Sequence, residues 1–225
     1  MKLRHELKFT LHKEAAKLLK SRMAMLLPYD GNADKNGEYM IRSLYFDTPD
    51  SSAYYEKMDG VENRKKYRIR YYNQNTGFIR LECKEKFNQM THKRLVRISL
   101  DQANRFIAGD IEAMDIEGED LLREFLIEMK TKHLIPSVIV DYRRTAFVME
   151  SLDVRITFDE LIHSRVYNHD LFEVSHGGVM PMEEVESVVE IKYNDVLPSS
   201  IVAVLNSMPM TRQALSKFAL CRGMQ

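Results

Sequence analysis

Lys66-Tyr67-Arg68-Ile69-Arg70-Tyr71 decides how this sequence folds. Cations occupy one parity and apolar or aromatic residues the other. A period of two is the signature of a β-strand, because successive side chains point to opposite faces. The next apolar stretch repeats the device, with Arg80, Glu82, Lys84 and Lys86 alternating with Leu81 and Cys83. On a single strand such a face is a solvated outer surface. Here it recurs. Glu6 and Lys8 are two apart, as are Glu190 and Lys192, and Arg144 and Arg155 sit in two further strand-like stretches. Leu7, Phe9, Ile191 and Tyr193 fill the opposite parity. The recurrence predicts an inward charged face, with the apolar parity packed beneath outer helices.

Working outward, strands are expected near 3–9, 38–46, 64–72, 77–86, 92–99, 136–147, 152–158 and 186–194, with a weaker one near 162–167. Helices are expected over 12–27, 48–58, 99–108, 119–132 and 198–206, with Thr211 opening a last one. Ser99-Leu100-Asp101-Gln102 is a capping box, and Thr48-Pro49 reads as a cap followed by proline at the first helical position. The fold class predicted is α+β: an eight-stranded antiparallel β-barrel tunnel with helices packed outside, one domain over 1–225. An eight-stranded barrel has room for side chains or one small ligand. A cationic lining with few carboxylates is a poor structural choice, since unpaired buried ions cost several kcal/mol each. It suits a polyanion, which Arg forks and Lys point charges bind through phosphate oxygens.

The chain has 225 residues, with 33 Lys+Arg balancing 33 Asp+Glu. Zero net charge disfavours a general nucleic-acid binder but leaves room for a local cationic cleft. Two cysteines, Cys83 and Cys221, form neither a disulfide framework nor a CxxC pair, which suits a reducing compartment. The start has no apolar secretory segment and no stretch is long enough to span a bilayer, so a cytoplasmic protein is expected.

In order along the chain, Glu6-Leu7-Lys8-Phe9, Ser43-Leu44-Tyr45-Phe46-Asp47, Tyr67-Arg68-Ile69-Arg70-Tyr71, Leu81-Glu82-Cys83-Lys84, Lys93-Arg94, Tyr142-Arg143-Arg144-Thr145-Ala146-Phe147, Val154-Arg155-Ile156-Thr157-Phe158-Asp159, Glu190-Ile191-Lys192 and Ser216-Lys217-Phe218 resemble the catalytic domain of vacuolar transporter chaperone (VTC) polyphosphate polymerases, within the CYTH-like triphosphate tunnel metalloenzymes. The resemblance implies a basic tunnel in which the terminal phosphate of ATP passes to a growing polyphosphate, with Mn²⁺ or Mg²⁺. It implies phosphate contacts from Lys8, Arg68, Arg70, Lys84, Arg144, Arg155 and Lys217, joined by Lys93 (with Arg94 the alternative match). It also implies Arg68, Arg70, Arg144 and Arg155 as the catalytic cations, and Glu190 as the metal-binding glutamate with Lys192 beside it. Eukaryotic members carry a regulatory domain and transmembrane helices that do not occur in this sequence, so a stand-alone, bacterial-type form is implied; a membrane or regulatory partner stays open.

Glu6 and Glu82 are either further metal ligands or partners of Lys8 and Lys84. Asp159 is either a residue behind the metal ligands or a turn residue. The alternative activities are a tunnel triphosphatase, a nucleotidyl cyclase, or a non-catalytic polyphosphate-binding module. No GxxxxGK[ST], GxGxxG, HExxH or GxSxG occurs, so those phosphate, dinucleotide, zinc and serine-nucleophile sites have no support. His169-Asp170 and His176-Gly177-Gly178 read as turns, Tyr54-Tyr55 as packing residues, and Cys83 as an outward-facing small core residue.

Overall fold

The computed structural model describes residues 5–88, 90–112, 119–166, 169–173, 178–182 and 186–223. In chain order its elements are β1 (His5–His12), α1 (Lys13–Ala24), β2 (Glu38–Asp47), α2 (Ser52–Met58), β3 (Arg64–Tyr72), β4 (Ile79–Phe87), β5 (Met90–Ile98), α3 (Leu100–Ala108), α4 (Asp120–Lys132), β6 (Ile135–Met149), β7 (Val154–Arg165), β8 (Glu186–Tyr193), α5 (Ser199–Asn206), β9 (Thr211–Arg212) and α6 (Lys217–Arg222). Among the described residues these make an α+β fold of nine strands and six α-helices. No helix among them is long and apolar enough to cross a membrane.

The strands form one sheet in the order β5-β4-β3-β2-β6-β7-β8-β1-β9. The pairs β1–β8, β1–β9, β2–β3, β3–β4, β4–β5 and β7–β8 are antiparallel. The order has β5 and β9 at its ends, where a closed barrel of eight strands was expected. The ninth strand is the difference at one end. It is two residues long, so it offers the ladder only a short edge against β1.

The chain divides into two compact units. One holds residues 1–40, 142–162 and 180–216; the other holds 41–141, 163–179 and 217–225. Each has its own core. In the first, Ala16, Leu19 and Met23 of α1 pack with Phe147, Ile156, Phe158, Val189 and Ile201. In the second, Leu122, Phe125 and Leu126 of α4 pack on Tyr67, Ile69, Leu81 and Phe106. The apolar parity of β3 and β4 is therefore buried under helices, as the alternation predicts, and Cys83 lies in that core.

Local chemistry explains the helix starts. Ser99 and Gln102 form the expected capping box at α3. Helix α2 begins at Ser52, not at Thr48-Pro49. Asp47 accepts hydrogen bonds from the backbone N–H groups of Thr48, Ala53 and Tyr54, and the Thr48 hydroxyl accepts from Ser52 N–H. These caps move the start past a left-handed Ser51 (φ 61°). Thr211 opens no helix; it pairs with Thr10 in β9, and the last helix starts at Lys217. The weak strand near 162–167 is the end of β7, which continues through Leu161 at φ 51°.

Candidate functional site

The charged parity of β3 and β4 lines up in register. Arg64 lies opposite Lys86, Lys66 opposite Lys84, Arg68 opposite Glu82, and Arg70 opposite Arg80. Directly opposed residues share a face. Strand β5 extends two rows, placing Lys93 beside Lys84 and Arg97 beside Arg80. From Arg64 to Arg70 the ladder runs about 20 Å at the ordinary rise per residue, and Glu82 is its one carboxylate. Glu82 is 2% exposed. It accepts Nε and Nη2 of Arg68 at 2.8 and 2.6 Å and lies 2.9 Å from Lys93 Nζ. Burial alone would raise its carboxyl pKa, but Arg68, Arg70 and Lys93 outweigh burial and hold it well below the usual carboxylate range. In the same crowd Lys93 is pulled down to about 8, chiefly by desolvation and also by Arg68 and Arg70.

Arg68 also donates to the Tyr45 hydroxyl at 2.9 Å, and Arg70 to the Ser43 hydroxyl at 2.8 Å. Burial pushes Tyr45 up, but Arg68, Arg70 and Lys217 together pull it below the usual phenol value. Lys217, at the first position of α6, is thus in the field of the same arginines. Lys84 is exposed.

The other unit carries a second charged face. Two cross-strand rows are in register: Glu6, Lys192 and Arg155, then Lys8, Glu190 and Thr157. Lys8 Nζ lies 3.0 Å from Glu6 and 3.6 Å from Glu190, whose other oxygen accepts from Lys192 at 2.9 Å. Burial lowers the Lys8 pKa, but Glu190 and Glu6 reverse this and leave it raised. Arg144 makes a bidentate pair with Asp159, Nε and Nη2 at 2.6 and 2.8 Å, and its guanidinium lies 5.3 Å from the Tyr142 ring. Arg155 contacts Asp30 at 2.5 Å and donates to the Tyr39 hydroxyl at 2.9 Å.

A family model, the VTC domain, matches residues 3–224. The chain belongs to the VTC domain family. Two solved structures share its fold. One is an adenylyl cyclase candidate from Hippeastrum with a dominant triphosphatase activity, at 15% identity and TM-score 0.59, covering 99% of this chain and 97% of its own. The other is an adenylate cyclase candidate from Bacillus halodurans, at 15% identity and TM-score 0.53, covering 92% and 87%. No curated protein matches the sequence. Family and fold together support a triphosphate tunnel type of domain.

Within this VTC domain, each unit collects its share of the residues expected from sequence. Arg68, Arg70, Lys84 and Lys93 meet on β3–β5, with Lys217 on α6. Lys8, Arg144, Arg155, Glu190 and Lys192 meet on β1, β6, β7 and β8. Glu6 pairs with Lys8, as one reading held. The carboxylate of Glu82, expected either to ligate metal or to pair with Lys84, goes to Arg68 and Lys93. Asp159 lies inside β7 as the bidentate partner of Arg144 and is not a turn residue. Arg94 faces away from Lys93, pairing with Glu85 and Glu124.

A divalent metal fits the set around Glu190. Glu6 and Glu190 supply hard oxygen donors on adjacent strands, and the Thr157 hydroxyl opposite Glu190 is buried with no hydrogen-bond partner. Among the described residues, three close ligating groups occur only at Cys83, Glu85 and Glu124, on the opposite face of β4.

The sequence reading missed Asp30, Tyr39, Ser43 and Tyr45 as partners of arginines. Tyr45 lies in a quoted motif, but Asp30 sits in the loop before β2, and the alternation rule says nothing about loops. His169 Nε2 donates to the Ser137 carbonyl at 3.0 Å, and Asp170 accepts from Phe172 and Glu173 N–H groups, as a turn would have it. The stretch 174–177, with His176 and Gly177, lies outside the described residues.

Proposed function

We propose that this VTC domain is a metal-dependent polyphosphate polymerase that transfers the γ-phosphate of ATP to a growing polyphosphate chain. The observation that carries the reading is the length of the cation ladder on β3–β5. At about 20 Å, it is longer than three linked phosphates need, and a chain of phosphates would use all of it. The fold neighbours fit a triphosphate-handling domain of either kind.

Phosphoryl transfer asks for in-line positioning and charge neutralisation more than for a covalent partner. The catalytic cations are Arg68 and Arg70 in one unit and Arg144 and Arg155 in the other, each pair binding phosphate oxygens. Their carboxylate, tyrosine and serine partners fix the forks before substrate arrives, so little reorganisation is needed during reaction. Lys84, Lys93 and Lys217 in the first of these units, and Lys8 and Lys192 in the second, add point charges for phosphate. Mn²⁺ or Mg²⁺, held by Glu190 with Glu6 beside it, would neutralise phosphate charge when bound. An ionised oxygen of the polyphosphate end attacks the γ-phosphorus and ADP leaves, so no general base is required. The protein would do this in the cytoplasm, alone or with a partner at a membrane.

The test is incubation of the protein with ATP, a short polyphosphate primer and Mn²⁺ or Mg²⁺, with products run on a polyphosphate-stained gel. A ladder that disappears in Glu190→Ala supports the reading. Free phosphate without a ladder replaces it with a tunnel triphosphatase, and a cyclic nucleotide with a cyclase. Tight polyphosphate binding without turnover leaves a binding module.

A further inference from the structure

Arg144 and Arg155 stand on different strands, and each already has a carboxylate: Asp159 for Arg144 and Asp30 for Arg155. One residue lies against both guanidinium groups. Tyr39, near the start of β2, is 6% exposed and accepts from Arg155 Nη2 at 2.9 Å. Burial raises its phenol pKa while the charges of both Arg144 and Arg155 lower it, so both cations are within its field. Two cations brought together repel, and each is floppy about its long stem. A hydroxyl oxygen between them accepts from their N–H groups, and an arginine has no acceptor with which to compete.

We propose that Tyr39 is a positioning residue that holds Arg144 and Arg155 as one two-pronged anion clamp. Alone, each carboxylate fixes only its own arginine. Tyr39 fixes their separation, which decides whether both forks meet oxygens of one phosphate group. The inference rests on the polymerase reading only in supposing that this face binds linked phosphates.

The test uses the full chain and inorganic tripolyphosphate as the probe, with affinity read by calorimetry for the wild type, Tyr39→Phe, Arg155→Ala and the double variant. Chain growth from ATP is measured beside it. Phenylalanine keeps the ring and its packing and removes only the hydroxyl. The proposal expects Tyr39→Phe to weaken binding about tenfold and Arg155→Ala to weaken it more. It expects the double variant to be no worse than Arg155→Ala, since the two losses share one cause. It also expects the Nε–H signals of both Arg144 and Arg155 in an NMR spectrum to exchange faster in Tyr39→Phe, which a purely local packing role would not produce at Arg144. Binding within twofold of wild type, or losses that multiply, overturns it. If the wild type binds tripolyphosphate with this pattern but extends no chain, the polymerase reading falls and the clamp stands. If the wild type fails to bind tripolyphosphate, both fall.

Discussion

Arg144 and Asp159 are joined through two parallel hydrogen bonds of 2.6 and 2.8 Å, and the aspartate side chain is fully buried. A buried ion pair is weak evidence of net stabilisation, but removing one partner leaves an uncompensated charge. Asp159→Asn is expected to destabilise the protein by about 3–5 kcal/mol. The measurement is the urea midpoint of unfolding. A variant as stable as the wild type would mean that Arg144 finds another acceptor.

Arg155 is less committed, at 31% side-chain exposure, and its partners are the Asp30 carboxylate in the loop before β2 and the Tyr39 phenol on β2. Arg155→Ala is expected to cut chain growth on the order of 100-fold, as for loss of a preorganised donor, while the unfolding midpoint stays close to that of the wild type. Full turnover in this variant would remove Arg155 from the catalytic set.

The ladder predicts a dependence on chain length. Arg64 and Lys86 face each other at the end of β3 and β4 away from Arg70. Replacing both by alanine is expected to weaken binding of long polyphosphate several-fold and to leave tripolyphosphate binding within twofold. It should also flatten the salt dependence for the long chain, because fewer cations then neutralise phosphates. Equal losses for both lengths would place the two residues nearer the reacting end than the register implies.

Lys93 links anion binding to pH. Its ammonium titrates at about 8 in the folded protein, below its ordinary 10.5. A depressed lysine binds fewer protons folded than unfolded between those values, so its cost to stability is full below about 8 and is relieved as pH rises towards 10.5. Affinity for polyphosphate should move the other way, falling as pH rises through 8. Lys93→Arg is expected to abolish that fall. An unchanged pH profile in Lys93→Arg would show that another group controls it.

Both thiols should be silent. Cys83 and Cys221 are fully buried, and burial pushes them up to about 11 and about 12. A thiol reagent acts on the thiolate, so the native protein is expected to take up none at neutral pH and two equivalents after denaturation. Native labelling would reveal local opening of β4 or α6.

Much of this was legible from period-two charge patterning. It located β1 to β8 and chose the apolar parity of β3 and β4 correctly, because burial of Tyr67, Ile69, Leu81 and Cys83 on one side leaves the cations on the other. It could not name the partners that hold the arginines. Tyr39 and Asp30 reach Arg155 across more than a hundred residues of sequence, and nothing in local spacing encodes such a meeting. It misplaced the start of α2 because Asp47, at a strand end, caps a helix several residues later. The two-residue β9 carries too few residues for any period to show.

The register of β1 has a consequence for how the molecule is made. His5 pairs with Tyr193 and His12 with Glu186, so β1 is made long before its partner β8. Loop closure over that distance is slow, and high contact order lowers folding rate. Until β8 emerges, the nascent chain presents Lys8 and Glu6 on an unpaired edge, an open template for other strands. Their charges then guard against aggregation during synthesis, before there is any phosphate to bind.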